Sequence, residues 1–348
     1  MDDNLLIAHQ ILTARTPTVA TEIHWGNVVH QVIRSVPIRG LPDQTTDPLR
    51  GGDIRPLGEP GGGAGDPEDL AIGRDGTIVV TLGGIGAIQF GKNKDDSWTR
   101  LAVGRRPTAV TIARDGRNAF IADTFTDAVV EVDLANRRIV ATIALGKSPE
   151  LSAAERGEML FYDARLSHEG WLSCHSCHTD GHANGGSSDT LGDGGFGAPK
   201  RILSLLGVRD TAPWTWTGGS PDLAGQVRKS IETTQRGGKP TERQVEDLTA
   251  YLRTLAPPPP RSHGQDGAVK RGKALFDRLD CAHCHAPPTY TVPSTFDVGL
   301  HDEVGNIAFN PPSLRGVSQG GPYFHDGRAK SLEEVFAKYR HQGPRRLE

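Results

Sequence analysis

Methionine is nearly missing from this sequence, and so is any excess of positive charge. Met1 and Met159 are the only methionines, so a thioether metal ligand has little to be built from. Lys and Arg number 39 against 42 Asp and Glu, a net charge of −3. That excludes the basic excess of a nucleic-acid binder. No apolar run approaches the roughly 20 residues of a membrane span. The opening MDDNLLIAHQ is acidic and has no basic n-region, so it is no signal peptide. Cysteine is confined to four residues in two short stretches, and none is left over for a structural disulfide. What is present is ample for folding. The 348 residues suffice for two or three domains, and 36% apolar with 23% charged residues suits a globular protein. The 43 glycines and 24 prolines point to many turns.

Residues 65–146 contain a repeat. Pro67 recurs as Pro107, and Arg74-Asp75-Gly76 recurs as Arg114-Asp115-Gly116, a period of about 40 residues. Each unit alternates apolar and polar residues, as in NAFIA and AVVEVDL, around an Asp-Gly turn. About four short strands per unit is the pattern of a propeller blade. Residues 4–37 form a candidate for part of a further blade. Propellers close with four to eight blades, so this stretch predicts a partial propeller and a chain that is a fragment. A generic antiparallel sheet is the plainer alternative.

From residue 151 the texture becomes helical. ELSAAERGEMLFYDARLS predicts a helix capped at Ser152, with Glu155 closing a capping box. TERQVEDLTAYLRTL predicts a second, with Val245, Leu248, Tyr251, Leu252 and Leu255 on one face. PPPP at 257–260 stops it and makes a stiff linker. The order then repeats. RGEMLF matches RGKALF, CHSCH matches CAHCH, and SLLGVRDTAPWTWTGG matches SLRGVSQGGPYFHDGR. The expected division is 1–148 for the β region, 149–258 for one helical domain and 259–348 for its duplicate, which ends before its last helix.

Each helical copy carries C-x-x-C-H: Cys174, Cys177 and His178, then Cys281, Cys284 and His285. This is the attachment signature of c-type haem. Two thiols one helical turn apart reach the two vinyl groups on a porphyrin edge, and the following His ligates iron. His175 and His283 fall on the intervening positions and point elsewhere. A four-thiolate zinc site is the rival, but about a hundred residues between the pairs far exceeds zinc-ribbon spacing and leaves both histidines unexplained. A local redox disulfide is the third reading, and nothing around either motif looks like the βαβ unit it needs.

The series RGEMLFYDARLS, CHSCH, PWTWTGG, PPPP, CAHCH, SLRGV and PYFHDGRAKSLEEVF resembles the di-haem cytochrome c peroxidase and MauG-type family over about residues 150–348. The β repeat resembles YVTN-type blades, a fusion met in bacterial proteins of that family. The resemblance implies two mainly α cytochrome-c-like domains behind partial propeller blades, with two covalently bound haem c groups. It implies an oxidoreductase that takes hydrogen peroxide, with a small redox protein as electron donor or a protein as substrate. A calcium ion between the haem domains is a further family expectation, although no ligand motif for it is readable. A non-catalytic di-haem electron carrier, with the propeller as docking module, is the alternative function. Haem attachment of this kind occurs outside the cytoplasm, which implies a periplasmic or otherwise extracytoplasmic bacterial protein.

Several residues are carried over by the resemblance. Trp216 corresponds to the aromatic between the two haems, with Trp214 as fallback and a packed core residue as the plain alternative. His325 corresponds to a histidine near the interface of the haems. Glu232 corresponds to the acid beside the peroxide-reactive haem, where it would move a proton. Many peroxidases of the family place a removable His ligand in the loop after the first motif. Here SSDTLGDGGFGAPK has none, which implies an open distal side at the haem on His178. SLEEVFAKYRHQG predicts a helix capped at Ser331 with Glu334, with Leu332, Val335, Phe336 and Tyr339 on one inward face at i, i+3, i+4 and i+7. Tyr339 resembles the tyrosine ligand of the MauG branch at the haem on His285, where it would offer iron an anionic oxygen. His341 competes for that place.

Overall fold

The computed structural model describes residues 4–38, 52–147, 150–259 and 266–341. The expected boundary at 148 and 149, and Pro260 of the linker, lie outside the described residues.

The first part is all β. Strands β1 (Asn4–Leu12), β2 (Val29–Pro37) and β3 (Asp53–Pro56) form an antiparallel sheet, with helix α1 (Ala20–His24) between the first two. The repeat then gives two four-stranded meanders. One is β4 (Pro67–Ile72), β5 (Thr77–Leu82), β6 (Ala87–Lys92) and β7 (Thr99–Ala102). The other is β8 (Pro107–Ile112), β9 (Asn118–Asp123), β10 (Ala128–Asp133) and β11 (Arg138–Ala144). Each opens with the same turn. Gly76 and Gly116 take positive φ of 83° and 74°, a setting only glycine adopts cheaply. Asp75 and Asp115 accept from the backbone N–H two residues on. The two meanders bury Val79, Ile88 and Phe90 with Ala119, Ile121, Val130 and Val132. Among the described residues the sheets do not close into a ring. What stands is an all-β region of two blade-like meanders and a three-stranded sheet.

The second part is helical. Ser152 and Glu155 form the expected capping box for α2 (Ala153–Phe161), and Thr241 with Gln244 forms another for α5 (Glu242–Thr254). These helices pack closely where Gly157 meets the backbone of α5; a Cβ there would stand 1.9 Å from Asp247 O. Arg156 forks onto Asp247 at 2.9 and 2.7 Å beside it. Phe161, Val245, Leu248, Tyr251 and Leu252 form the core with α4 (Leu223–Lys229). Short helix α3 (Cys174–Cys177) carries the first motif, and α6 (Asp266–Arg278) precedes the second. The last helix, α7, runs only from Leu332 to Ala337. The longer helix expected through Tyr339 does not form, because the chain reaches a left-handed φ of 51° at Arg340. Ser331 does cap it, but Glu334 turns its carboxylate to Lys330 N–H, so the box is not closed. Val335 is buried and Phe336 is exposed, against the expectation that both face inward.

The two parts are packed along a glycine seam. Gly63 and Gly65 donate to the carbonyls of Glu169 and Gly170. A Cβ on Gly63 would stand 2.5 Å from Gly170 C, and Cβ atoms on Gly26 and Gly58 would run into the Trp171 ring. Trp171 is buried with Ile23, Val28, Val29 and Leu172. Gln31 donates to the Trp171 carbonyl from the β side. GDIRPLGEPGGGAG thus reads as a docking surface for the segment leading into the first motif.

Candidate functional site

Helix α3 is held from below by the β region. Ser173 and Ser176 form a reciprocal cap, each hydroxyl meeting the other's backbone N–H. Both hydroxyls then donate to Asp66, at 2.5 and 2.7 Å, and Gln10 donates to the same carboxylate at 2.6 Å. Asp66 is buried and left-handed, with φ of 53°. Its counterpart in the next repeat unit is Arg106. That break in the repeat is the one signal by which the sequence marks it.

On α3 the thiols of Cys174 and Cys177 are free and close to buried surroundings. Burial pushes them up to about 11 and about 12. Gln235 donates to the Cys174 sulfur at 3.5 Å. Burial lowers His178 to about 4, which keeps the imidazole neutral. Its Nδ1–H donates to Leu203 O at 3.0 Å, so Nε2 carries the free lone pair. The second motif repeats this arrangement. His285 Nδ1–H donates to Tyr290 O at 3.1 Å, and burial lowers its pKa. Burial also raises Cys281 and Cys284. Neutral imidazoles with Nδ1 tied to a backbone carbonyl are what a haem iron ligand requires. Among the described residues no convergent donor cluster includes any of these thiols, so four thiolates do not meet at one zinc site.

The segments that follow the motifs are superimposable in their local geometry. Gly207 and Gly316 take φ of 76° and 74°, Thr215 and Phe324 take 71° and 69°, and Gly218 and Gly327 take 67° and 72°. Trp214 bridges to Ser220 as Tyr323 bridges to Ala329. Trp214 Nε1–H donates to Val208 O, and Tyr323 O–H donates to the matching Val317 O. Trp214 therefore has a structural task within its own copy.

Trp216 and His325 occupy matching positions one step further on. Trp216 is buried, donates to Arg201 O at 2.8 Å and packs on Leu300 and Phe309 of the second copy. His325 stacks on Phe309 at 4.1 Å and is lowered by desolvation. Its Nε2 and Arg201 Nε are buried without a hydrogen-bond partner, two polar atoms that an acidic group of a bound cofactor would satisfy. Arg201 is also lowered, chiefly by burial. The residues present therefore fit a pair of c-type haems, one held by each motif.

The other expected residues are placed as follows. Glu232 is half-buried in a single π-helical turn, Ser230–Thr234, that continues α4. Such turns recur at functional sites. His182 is hydrogen-bonded to Ser204, beside the Leu203 carbonyl that His178 uses. Met159 receives Arg105 from the β side. Tyr339 uses its hydroxyl to donate to Arg328 O at 3.0 Å. His341, its competitor, is the side chain whose ring stands beside His285, with centroids 6.5 Å apart.

Comparison with known proteins agrees with this geometry. Residues 152–256 match the family described as di-haem cytochrome c peroxidase. Methylamine utilization protein MauG of Methylorubrum extorquens is 29% identical over 243 residues, covering 55% of this chain and 69% of that protein. Cytochrome c551 peroxidase of Nitrosomonas europaea is 26% identical over 238 residues, covering 52% and 71%. A chain of hydrazine synthase from Kuenenia stuttgartiensis shares the fold, with a TM-score of 0.52 at 22% identity over 61% of this chain and 95% of that one. Residues 152–256 thus match the di-haem cytochrome c peroxidase family, and the helical part of this chain is similar to MauG and cytochrome c peroxidase proteins, oxidoreductases with two c-type haems.

Proposed function

We propose that this protein is a peroxide-dependent di-haem oxidoreductase, with domains at 1–148, 149–258 and 259–348. The observation that carries the reading is the meeting of Trp216 and His325 at matching positions of two CxxCH copies. When bound, the haems supply one-electron redox chemistry and, where an iron face is open, reactivity toward hydrogen peroxide.

The chain's own residues would then divide the work. Cys174, Cys177, Cys281 and Cys284 attach the cofactors, and His178 and His285 present Nε2 to the irons. Trp216 lies across the contact between the copies and is the candidate to couple them. His325 Nε2 and Arg201 Nε are free to bind acidic cofactor groups. Glu232 is the candidate to hold and deliver a proton at its carboxylate. The absence of any His in SSDTLGDGGFGAPK supports an open face at the His178 site. His341 or Tyr339 completes the His285 site. The blade-like meanders, with exposed Ile139, Val140 and Ile143 on β11, support reading the β region as part of a propeller. Among the described residues no helix is long and apolar enough to cross a membrane. We place the protein in the periplasm, where haem is attached to this motif, with a small redox protein or a protein substrate as partner.

The test is turnover. Protein matured with both haems is mixed with hydrogen peroxide and a reduced cytochrome or dye. Peroxide-dependent donor oxidation that is lost in Glu232→Gln and retained in Met159→Leu supports the reading. Intact haems without turnover would overturn it.

A further inference from the structure

We propose that His24, His168 and Glu169 form a binding site for one divalent transition cation, with zinc as the probe of choice. The site lies outside both haem motifs, at the seam between α1 and the turn that leads to Cys174.

The geometry is that of three donors around one point. His24 Nδ1 lies 2.8 and 3.1 Å from the two Glu169 carboxylate oxygens. His168 Nε2 lies 3.6 Å from Glu169 Oε1. One donor atom from each residue lies within 4.8 Å of the others. A cation with bonds of about 2.0–2.2 Å to nitrogen and oxygen holds tetrahedral ligand atoms roughly 3.3–3.5 Å apart, close to these spacings. A simple His24–Glu169 ion pair explains two donors. It leaves the third unexplained, because 3.6 Å is too long for a hydrogen bond from His168. A cation among them accounts for two imidazoles converging on one carboxylate. Two imidazole nitrogens and one carboxylate suit Zn2+, Ni2+ or Cu2+ and disfavour the all-oxygen shells of Ca2+ and Mg2+.

The backbone is arranged for this convergence. His168 and Glu169 are neighbours in sequence, and Glu169 has a left-handed φ of 56°, a costly setting for a residue with a side chain. The surroundings hold it there. Gly63 N–H donates to Glu169 O, and His168 N–H donates to Gln235 O at 2.9 Å. His24 is fixed through Ile23, which is buried against Trp171. The three side chains remain 26–36% exposed, so water can complete the shell and a cation can enter. A bound cation would clip the β region to the segment that carries the first haem motif, and would stabilise the folded state by an amount that grows with the logarithm of its affinity.

The test uses the chain with both haems attached, so that its cysteines are thioethers and cannot compete. Zn2+ is titrated calorimetrically into metal-stripped protein, and Cu2+ electron paramagnetic resonance counts the nitrogen ligands. The expected result is one zinc per chain, a raised Tm and two imidazole nitrogens on copper. His24→Ala and His168→Ala should each weaken zinc binding by more than the roughly 100-fold that loss of an outer partner can cost, with the Soret band unchanged. Where His24→Ala folds poorly, His24→Gln keeps a hydrogen bond to Glu169 and should show the same loss. Absence of saturable one-to-one binding, or wild-type affinity in these variants, would overturn the site.

Discussion

Trp216 and His325 stand at the same position of the two repeats, and their rings meet edge to face with centroids 6.4 Å apart. Here the equivalent residues of the two copies meet each other, and the side chains at this position differ. Trp216 is the large indole tied to Arg201 O, and His325 is the smaller ring stacked on Phe309. The contact joins the strand segment next to Leu203, which holds His178, to the second copy.

A first prediction follows for Trp216. Trp216→Ala removes a buried indole at the contact between the copies and should cost about 3–5 kcal/mol. Trp216→Phe keeps most of the packing and loses one hydrogen bond, about 1 kcal/mol. The Phe variant should retain both haems and slow electron exchange between them, followed by stopped-flow absorbance after partial reduction. An unchanged exchange rate would reduce Trp216 to a packing residue.

Asp66 supports the second. Its carboxylate accepts from Ser173, Ser176 and Gln10 in a buried place beneath α3. Asp66→Asn replaces one acceptor by a donor facing hydroxyl groups. Stability should fall by about 1–3 kcal/mol, the cost of an unsatisfied buried polar group. Loss of a buried negative charge should also raise the reduction potential of the haem at His178, because the charge favours the oxidised state. A potentiometric titration read at the Soret band measures it. Asp66→Ala with an unaltered potential would show that the carboxylate acts only as a cap.

The Lys200–Asp302 pair ties the two copies at 2.9 Å, with both side chains buried. Burial alone pushes Asp302 up, but hydrogen bonds from Asn306 and Lys200 overcome it and hold the carboxyl at about 2. The folded value lies below the ordinary carboxylate value of about 3.9. Its stabilisation is therefore present above about pH 4 and is lost as pH falls toward 2, where the unfolded chain binds the extra proton. Lys200→Met leaves the carboxylate unpaired and should cost about 3 kcal/mol at neutral pH. Denaturant midpoints at pH 7 and pH 2.5 check this, and the difference between wild type and variant should shrink at the lower pH.

Much of this was legible in sequence where a pattern is local. The Asp-Gly turns, the boxes at Ser152 and Thr241, and the buried face of α5 depend on residues within a few positions of one another. The duplication was legible because matching segments keep their order. An open arrangement is legible from the small number of repeat units, whereas membership in a propeller is not, since a blade's alternation says nothing about what packs on its outer face. The end of α7 at Ala337 is not legible, because i, i+4 spacing through Tyr339 does not register the left-handed turn at Arg340. Asp66, His24 and Glu169 are not legible for a different reason. They act across the seam, more than a hundred residues from their partners, and no periodicity links them.

The two motifs should be separable. Cys281→Ala with Cys284→Ala should reduce covalent haem from two per chain to one, counted by pyridine haemochrome, while the β region and first copy stay folded. The first motif sits on the Asp66 cap and the α2–α5 core. The reciprocal pair, Cys174→Ala with Cys177→Ala, removes groups from that buried setting and should lower Tm more. Equal losses of Tm in the two double variants would contradict the unequal burial of the motifs.

The last prediction concerns the second ligand of the haem at His285. Helical spacing predicts Tyr339 on the inward face, and the resemblance implies an anionic oxygen for iron. In the folded chain its hydroxyl donates to Arg328 O, and its ring meets Phe324 edge-on at 5.5 Å. A backbone carbonyl already satisfies that hydroxyl, so ligation would require breaking this bond. Among the described residues His341 makes no such hydrogen bond through its ring nitrogens. It sits against Phe324 and beside His285, and burial lowers its pKa, which favours the neutral imidazole that binds metal. His341→Ala should therefore convert the haem at His285 from low spin to high spin, or to water ligation, in the ferric electron paramagnetic resonance spectrum. Tyr339→Phe should leave that spectrum unchanged and cost about 1 kcal/mol for the lost hydrogen bond. The opposite pattern, a changed spectrum in Tyr339→Phe alone, would return the ligand to the tyrosine and require the Arg328 contact to open when haem binds.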